Sequence, residues 1–277
     1  MKQLVADGDL DANGFLLVEG KNFHHLRDVL RVSCGDMIFV RLKSGLLQPM
    51  TVCKIDGQVK KIILQVAGDS SDAEHTSKKS ILQFFLFQFI ANPSKMDLII
   101  RQATECGVEK IFPVESEFCQ KGNVESARKK ASESGRWHKI IVEARQQSGS
   151  PVETQVFAPI PFAKVFDIWK SERGSQGSSL AIVLYERTSG TKNIHDTLKS
   201  VDSFTGKFNS KKGLSRIALV IGAEGGISSS EIKLLKQNGF IPVHFETNVL
   251  RCETAALYGI AALQTALMED WNLKDGE

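Results

Sequence analysis

The feature that most constrains this chain is the stretch 217–254, where two short apolar runs each break abruptly into a loop and then enter a helix. Residues 217–221 are apolar and rich in β-branched side chains, the pattern of a strand buried on both faces of a mainly parallel sheet. Gly222-Ala-Glu-Gly-Gly226 follows, with Gly222, Gly225 and Gly226 free to take positive φ and to bring backbone close to a bound molecule. Ser228 and Glu231 have capping-box spacing, so a helix is expected over about 229–238, stopped by Gly239. Residues 241–245 read as another short strand, 246–251 as a loop, and Glu253 opens a helix. Its small residues, Ala255, Ala256, Gly259, Ala261 and Ala262, suit very close packing.

A strand, a glycine-rich loop and a helix N-terminus in that order could hold phosphate. The loop nevertheless matches neither the G-x-G-x-x-G fingerprint nor the phosphate-binding P-loop, and it carries no lysine. Glu224 argues further against a polyanion. A tight turn whose glycines serve only the backbone is the alternative that these residues leave open.

The chain of 277 residues is long enough for two domains. Its first 70 or so residues read as a small β domain, with short strand candidates at 15–18, 37–42, 46–55 and 61–66. One helical piece interrupts them. Asn22 can cap it, Phe23, Leu26, Val29 and Leu30 give it an apolar face, and Arg27 and Arg31 fall one turn apart on another. The adjacent His24 and His25 point in different directions and make a poor metal pair. The polar segment 68–79 is the best linker, which puts the domains at 1–72 and 80–277.

Beyond the linker, 81–90 is a strongly apolar run suited to a buried strand. Ser94 with Asp97 can cap the next helix, whose buried stripe is Met96, Ile99, Ile100 and Ala103 and whose stop is Gly107. Asp97, Arg101 and Glu105 are spaced as an exposed i,i+4 ladder. From 121 to 145, seven Lys or Arg residues stand against three Glu in a stretch that looks helical through Trp137, Ile140, Ile141 and Ala144. Such a face either is simply solvated or neutralises phosphates without reading bases. Phe162, Val165, Phe166 and Trp169 read as core rather than as a base-stacking platform. Residues 180–185 form a further buried strand ending at Glu186, and 203–215 a connection.

The formal charge of +3 is too mild to announce a nucleic-acid partner by itself. Five scattered cysteines lack C-x-x-C spacing, so neither a disulfide framework nor a metal site is expected. The N-terminus has no apolar targeting core and no run reaches the roughly 18 residues needed to span a bilayer, so a cytoplasmic protein away from membranes is expected.

The motif I-G-x-E-G-G-[hydrophobic]-S-x-x-E-I at 221–232, followed by V-L-R-x-E-T-A-A-L at 249–257, resembles the ribosomal RNA small subunit methyltransferase E family of knotted SPOUT methyltransferases. His25 to Arg31, Lys95 to Val108, residues 111–117 and Arg136-Trp-x-Lys-Ile with Glu143-Ala-x-x-Gln147 are similar to the same family. The resemblance covers nearly the whole chain. It implies an α/β fold: a SPOUT-type parallel sheet with a C-terminal trefoil knot, preceded by a small PUA-like β-barrel that binds RNA. It further implies a homodimer that packs through the helix after Glu253, with S-adenosyl-L-methionine as cofactor. The implied activity is methylation of N3 of a specific uridine in 16S ribosomal RNA, within the small ribosomal subunit.

The cofactor contacts so implied are Leu184, Gly222, Glu224, Gly225, Gly226, Phe245 and Leu250. Arg251 would stabilise or orient a developing uridine anion and Glu253 would handle its proton. Arg27, Arg31, Lys95, Arg101 and Arg136 are the RNA-binding candidates. Phe245-Glu246-Thr247-Asn248 departs from the family's Leu-Gly-x-Arg or Leu-Gly-x-Asn, Ala223 replaces a proline, and Asn92 and Pro93 replace a glycine and a basic residue. Two other readings are a knotted RNA-binding protein that has lost methyl transfer, motivated by Glu246, and a nucleotide-dependent α/β enzyme, disfavoured by the missing lysine.

Overall fold

The computed structural model describes residues 3–67, 82–132, 135–174, 179–199 and 215–268. The expected linker at 68–79 and nearly all of the 203–215 connection lie outside these residues. The chain divides into two compact units, Met1–Ser80 with Val142–Pro151, and Ile81–Ile141 with Val152–Glu277. The sequence had placed 142–151 with the second domain; these residues group with the first unit.

In the first unit the strands are β1 (Gln3–Val5), β2 (Phe15–Val18), β3 (Met37–Arg41), β4 (Leu47–Asp56) and β5 (Lys61–Val66), with α1 (Gly20–His24) after β2. They form a five-stranded sheet in the order β1-β3-β4-β5-β2, antiparallel except for the β1–β3 pair. Ile62 and Leu64 alternate into a core with Leu4, Leu16, Val18, Ile38, Val40, Met50 and Val52, as period-two patterning dictates.

The helical piece departs from expectation. Asn22 lies inside α1 rather than capping it, and its Nδ2 donates to Val5 O (3.3 Å) and Asp7 Oδ2 (3.0 Å). A wider π-type turn, His25–Val29, follows, with Leu30 N bonded to His25 O at 2.9 Å. Arg31 then takes a φ of 50°, so Arg27 and Arg31 do not share a helical face. His24 is exposed and bonds Asp28 at 2.9 Å.

The second unit holds, in chain order, β6 (Gln83–Phe89), α2 (Pro93–Glu105), β7 (Lys110–Glu115), α3 (Lys121–Ala131) and the start of α4 (Arg136–Ser148). It continues through β8 (Gln155–Val156), β9 (Ile160–Pro161), α5 (Lys164–Glu172), β10 (Ser179–Leu184), β11 (Lys192–Asn193) and α6 (Ile194–Lys199). It closes with β12 (Arg216–Ile221), α7 (Ser229–Gln237), β13 (Ile241–His244) and α8 (Cys252–Met268). The sheet is wholly parallel in the order β11-β13-β10-β12-β6-β7-β8, with β9 also on β7.

Both faces are covered, which is why 84–87 of β6 and 217–221 of β12 read as continuous apolar runs. Phe84, Leu86, Ile217, Leu219 and Ile221 face one core, with residues of α2, α4 and α8; Phe85, Phe87, Phe89, Ala218 and Val220 face the other, with α5 and α7. Phe87, Phe112 and Phe157 stack at 5.0 and 4.5 Å between centroids. Phe162, Val165, Phe166 and Trp169 belong to that second core, as their helical spacing suggested.

Two local readings change. The cap of α2 is Asn92, whose side chain accepts from Ser94 N, with Pro93 at the first helical position where its missing N–H costs nothing. Asp97 forms no ladder with Arg101: it accepts from Lys130 (2.9 Å), Arg136 (2.7 Å) and Trp137 Nε1 (2.9 Å). Burial pushes the Asp97 carboxyl up, but these three donors outweigh it and hold the pKa below the usual aspartate value.

A candidate cofactor pocket at the strand ends

Adjacent parallel strands release their loops side by side at the carboxyl edge, where ligands of such sheets sit. Here β13, β10 and β12 are neighbours. Their loops enclose one cavity of about 450 Å³ lined by Leu184, Tyr185 and Glu186 after β10, by 221–227 after β12, and by Phe245 and 247–252 after β13. Lys95 from α2 closes its wall. Among the described residues no helix is long and apolar enough to cross a membrane, and no group of acidic, His or Cys side chains is arranged to hold a metal.

The glycine loop is a tight turn, with Gly226 N bonded to Ala223 O at 3.0 Å. Of its glycines only Gly226 uses positive φ, at 75°. The others are needed for space. A Cβ at Gly222 would lie 3.0 Å from Gly226 C, and one at Gly225 would lie 2.9 Å from Phe118 Cβ. The helix behind the turn is set by the expected capping box: Ser228 Oγ accepts from Glu231 N (3.2 Å) and Glu231 Oε2 from Ser228 N (2.9 Å). Glu231 Oε1 also accepts from Glu117 N at 2.9 Å, which fixes the loop carrying Phe118.

Two supports were missed in the sequence. Gln88 is fully buried at the end of β6 and its Nε2 donates to Phe89 O (2.9 Å) and to Gly222 O (3.2 Å), holding the carbonyl from which the glycine loop starts. The available signal was one amide in the otherwise aromatic and aliphatic run Phe84-Phe-Leu-Phe-Gln-Phe89. Asn92 caps α2 with its side chain and gives its backbone N–H to Glu224 Oε1 at 2.9 Å.

The charged groups converge on Lys95. Its Nζ lies 3.3 Å from Glu224 Oε1 and 3.5 Å from Glu253 Oε2. Burial opposes its ammonium, but the Glu224 and Glu253 carboxylates beside it outweigh that and raise its pKa. Burial likewise pushes Glu224 up, yet the N–H groups of Asn92 and Glu224 itself and the Lys95 ammonium leave it below the usual value. Glu253 is also lowered: its own N–H, the Cys252 thiol and Lys95 overcome burial. Cys252 is pushed up to about 12, first by burial and then by the Glu253 and Glu224 carboxylates. It is therefore a neutral thiol at physiological pH, 3.3 Å from Glu253 Oε2.

The structure thus brings Leu184, Gly222, Glu224, Gly225, Gly226, Phe245, Leu250, Arg251 and Lys95 to one cavity, with Glu253 attached through Lys95. Arg251 is exposed and makes no salt bridge among the described residues. Arg101 and Arg136 do not line the cavity, and Arg136, though 62 % exposed, is committed to Asp97. Arg27 and Arg31 are exposed in the first unit. Glu246 is exposed and not among the lining residues, so its side chain does not fill the space that a glycine there would leave. α8 packs tightly behind the site, since a Cβ at Gly259 would meet Leu184 Cδ1 at 2.7 Å and Leu219 Cδ2 at 3.2 Å.

Residues 78–264 match the RNA methyltransferase domain family. The chain belongs to this family. It is an RNA methyltransferase of the SPOUT superfamily, related over almost its whole length to ribosomal RNA small subunit methyltransferases E. One, "Ribosomal RNA small subunit methyltransferase E 2" of Borreliella burgdorferi, is 28% identical and aligns with 98% of this chain and 100% of its own length. The Bacillus subtilis protein is 25% identical, with 91% of each chain aligned. Among solved structures, that of the Neisseria gonorrhoeae methyltransferase E bound to S-adenosyl methionine superposes with a TM-score of 0.71 at 23% identity, covering 96% of this chain and 97% of that one. A probable rRNA methyltransferase from Porphyromonas gingivalis gives 0.67 at 20% identity, covering 97% and 99%.

Proposed function

We propose that this RNA methyltransferase transfers a methyl group from S-adenosyl-L-methionine to N3 of a specific uridine in 16S ribosomal RNA, acting in the cytoplasm on the small subunit. The observation that carries the reading is the meeting of three strand-end loops in one cavity with a cation and a carboxylate at its border. A volume of about 450 Å³ lies within the usual range for small-molecule sites. The backbone-lined turn at Gly222, Gly225 and Gly226 suits a ligand bound by main chain, and Leu184, Phe245 and Leu250 offer apolar surface for its adenosine. Glu224 is engaged by Asn92 and Lys95, which makes it a loop anchor more than a ligand contact.

Bound S-adenosylmethionine supplies an already activated methyl group, so the protein must chiefly align, desolvate and manage charge. Uridine N3 can form the new bond to carbon only as its proton leaves, because its lone pair is otherwise held in the imide. Arg251, exposed and without an ion pair among the described residues, is suited to stabilise the negative charge that then develops on the uracil oxygens. Glu253, ionised at the start of α8, is suited to receive the proton.

The first unit serves in this reading as a PUA-like RNA-binding barrel, and Arg27, Arg31 and Arg101 contact phosphates, while Arg136 is held by Asp97. A trefoil knot is supported by the chain path, which leaves β12, joins the far side of β10 as β13 and then returns α8 to β12 and α2. A homodimer is supported by the outward face of α8, where Thr254, Tyr258 and Ala261 are exposed. Small subunits from cells lacking the protein, incubated with it and labelled donor, should gain one methyl on one uridine when the 16S RNA is mass-mapped. Label on another base, or no heat of donor binding in calorimetry, would overturn the proposal.

A further inference from the structure

Lys95 stands in the sequence as an RNA-binding candidate, but an ammonium already shared between two carboxylates has little charge left for a phosphate. Building on the methyl-transfer reading above, we propose that Lys95 is a positioning residue whose ammonium ties Glu224 of the glycine loop to Glu253 at the start of α8. It thereby sets the proton-handling carboxylate against the cofactor loop.

Three segments distant in sequence meet at this one side chain. Lys95 sits in the first turn of α2, a helix held by its Asn92 cap and by Asp97, which binds Lys130, Arg136 and Trp137. Its Nζ stands 3.3 Å from Glu224 and 3.5 Å from Glu253. Glu224 has a second fixed donor in Asn92 N–H at 2.9 Å, so the lysine is braced on that side. Glu253 has less. Besides Lys95 it has the Cys252 thiol at 3.3 Å and its own N–H.

Among the described residues, the charged and titratable groups around Glu253 are those of this set and of the cavity rim. Lys95 comes from α2, Glu224 from the glycine loop and Cys252 from α8 itself, while Arg251, His244 and Glu186 line the same cavity. Removing Lys95 deletes the cation bonded to Glu253 and leaves Glu224 as a repelling neighbour. Burial then works unopposed by that cation, so the Glu253 pKa rises and less of it is ionised at a given pH. Its direction also loosens, and misplacement of a catalytic group by about 1 Å can cost about 100-fold in rate.

The test compares Lys95→Met and Lys95→Arg with the wild-type full chain. With small subunits and labelled donor, Lys95→Met should lower kcat by about 10- to 100-fold, a larger factor than any change in donor affinity or in KM for subunits. The acid limb of its rate profile should move to higher pH, and Lys95→Arg should restore most of both. Independently of activity, the Glu253 carboxyl carbon, followed by NMR in cofactor-free protein, should titrate at higher pH in Lys95→Met than in wild type. If Lys95→Met does not fold, Lys95→Gln carries the same expectations.

An unchanged kcat with raised KM and a salt slope reduced by about one would make Lys95 a phosphate contact and overturn the role. An unshifted Glu253 titration would overturn it too. A wild-type protein that transfers methyl while Lys95→Met equals it overturns this role alone. A wild-type protein that takes no donor overturns the reading beneath it as well.

Discussion

The turn 223–226 and the loop 245–251 line the same cavity, yet other segments grip only the first at nearly every position. Gln88 bonds the carbonyl of Gly222, Asn92 and Lys95 hold Glu224, Phe118 presses on Gly225, and Gly226 closes the turn on Ala223. In the second loop, 246–249 are exposed, with Val249 at 78 %. Among the described residues its ties are the Phe245 ring against Tyr258, at 4.7 Å, a local bond from Thr247 Oγ1 to Asn248 O, and, at its far end, the Ala255 N–H donated to Arg251 O at 2.7 Å. The first loop is thus ordered by folding, and a ligand meets it ready-made. The second keeps freedom that a ligand can remove, so it costs ordering entropy on binding but can close over its guest.

Arg251→Ala should break the comparison most sharply, because it changes the loose loop where chemistry is expected and folding is indifferent. Methyl transfer should fall by about 10²- to 10³-fold, the effect of losing one donor to a developing anion. Donor affinity and the melting temperature should stay put. A fall in melting temperature of the kind a core mutation produces would mean that Arg251 is structural instead.

Gly225→Val tests the gripped loop. The new Cβ would sit 2.9 Å from Phe118 Cβ, on a segment that Glu231 prevents from retreating. Overpacking of that kind costs about 1–3 kcal/mol, so denaturant unfolding should show lost stability together with weakened donor binding. Loss of donor binding at full stability would place the clash on the ligand rather than on Phe118.

The same contrast separates what was legible in the sequence from what was not. Strand β12, the capping box of α7 and the apolar alternation of β5 were readable because each depends on neighbours in sequence. The family motifs located the two loops for the same reason. Gln88, Phe118 and Lys95 were not readable in their roles, because what they touch lies far along the chain. Asn22 and Ser94 looked like caps by residue type, yet the backbone started each helix elsewhere, at Gly20 and Pro93. Asp97 looked like one rung of a ladder because nothing local announces Lys130, Arg136 and Trp137.

Asp97 sharpens the framework side of the comparison, since it anchors the helix whose start holds Glu224. Asp97→Asn should lower stability by about 2 kcal/mol, the scale of losing charge-assisted hydrogen bonds at a largely buried carboxylate. In the wild type, against the opposing effect of burial, Lys130, Arg136 and Trp137 hold this carboxyl's folded pKa below the usual aspartate value. Its contribution is therefore complete above that value and is lost as pH falls through the folded pKa. Denaturation midpoints of wild type and Asp97→Asn should accordingly converge in acid, and a constant gap down to the lowest pH would show that the charge is not what Asp97 supplies.

The smallest effect belongs to Glu246→Gly, and it bears on whether the loose loop has been disabled for cofactor. Glu246 stands where a glycine is typical of the family that this loop resembles, which by sequence alone adds a side chain and a charge beside the adenosine pocket. Its side chain is exposed and the cavity is lined without it, by Phe245 on one side and Thr247 on the other. An exposed substitution away from special features shifts free energies by no more than about 0.5 kcal/mol, so donor affinity should change by about twofold or less. Much tighter binding in Glu246→Gly would mean that the loop closes over the donor with residue 246 turned inward, and that this chain had traded transfer for RNA binding alone.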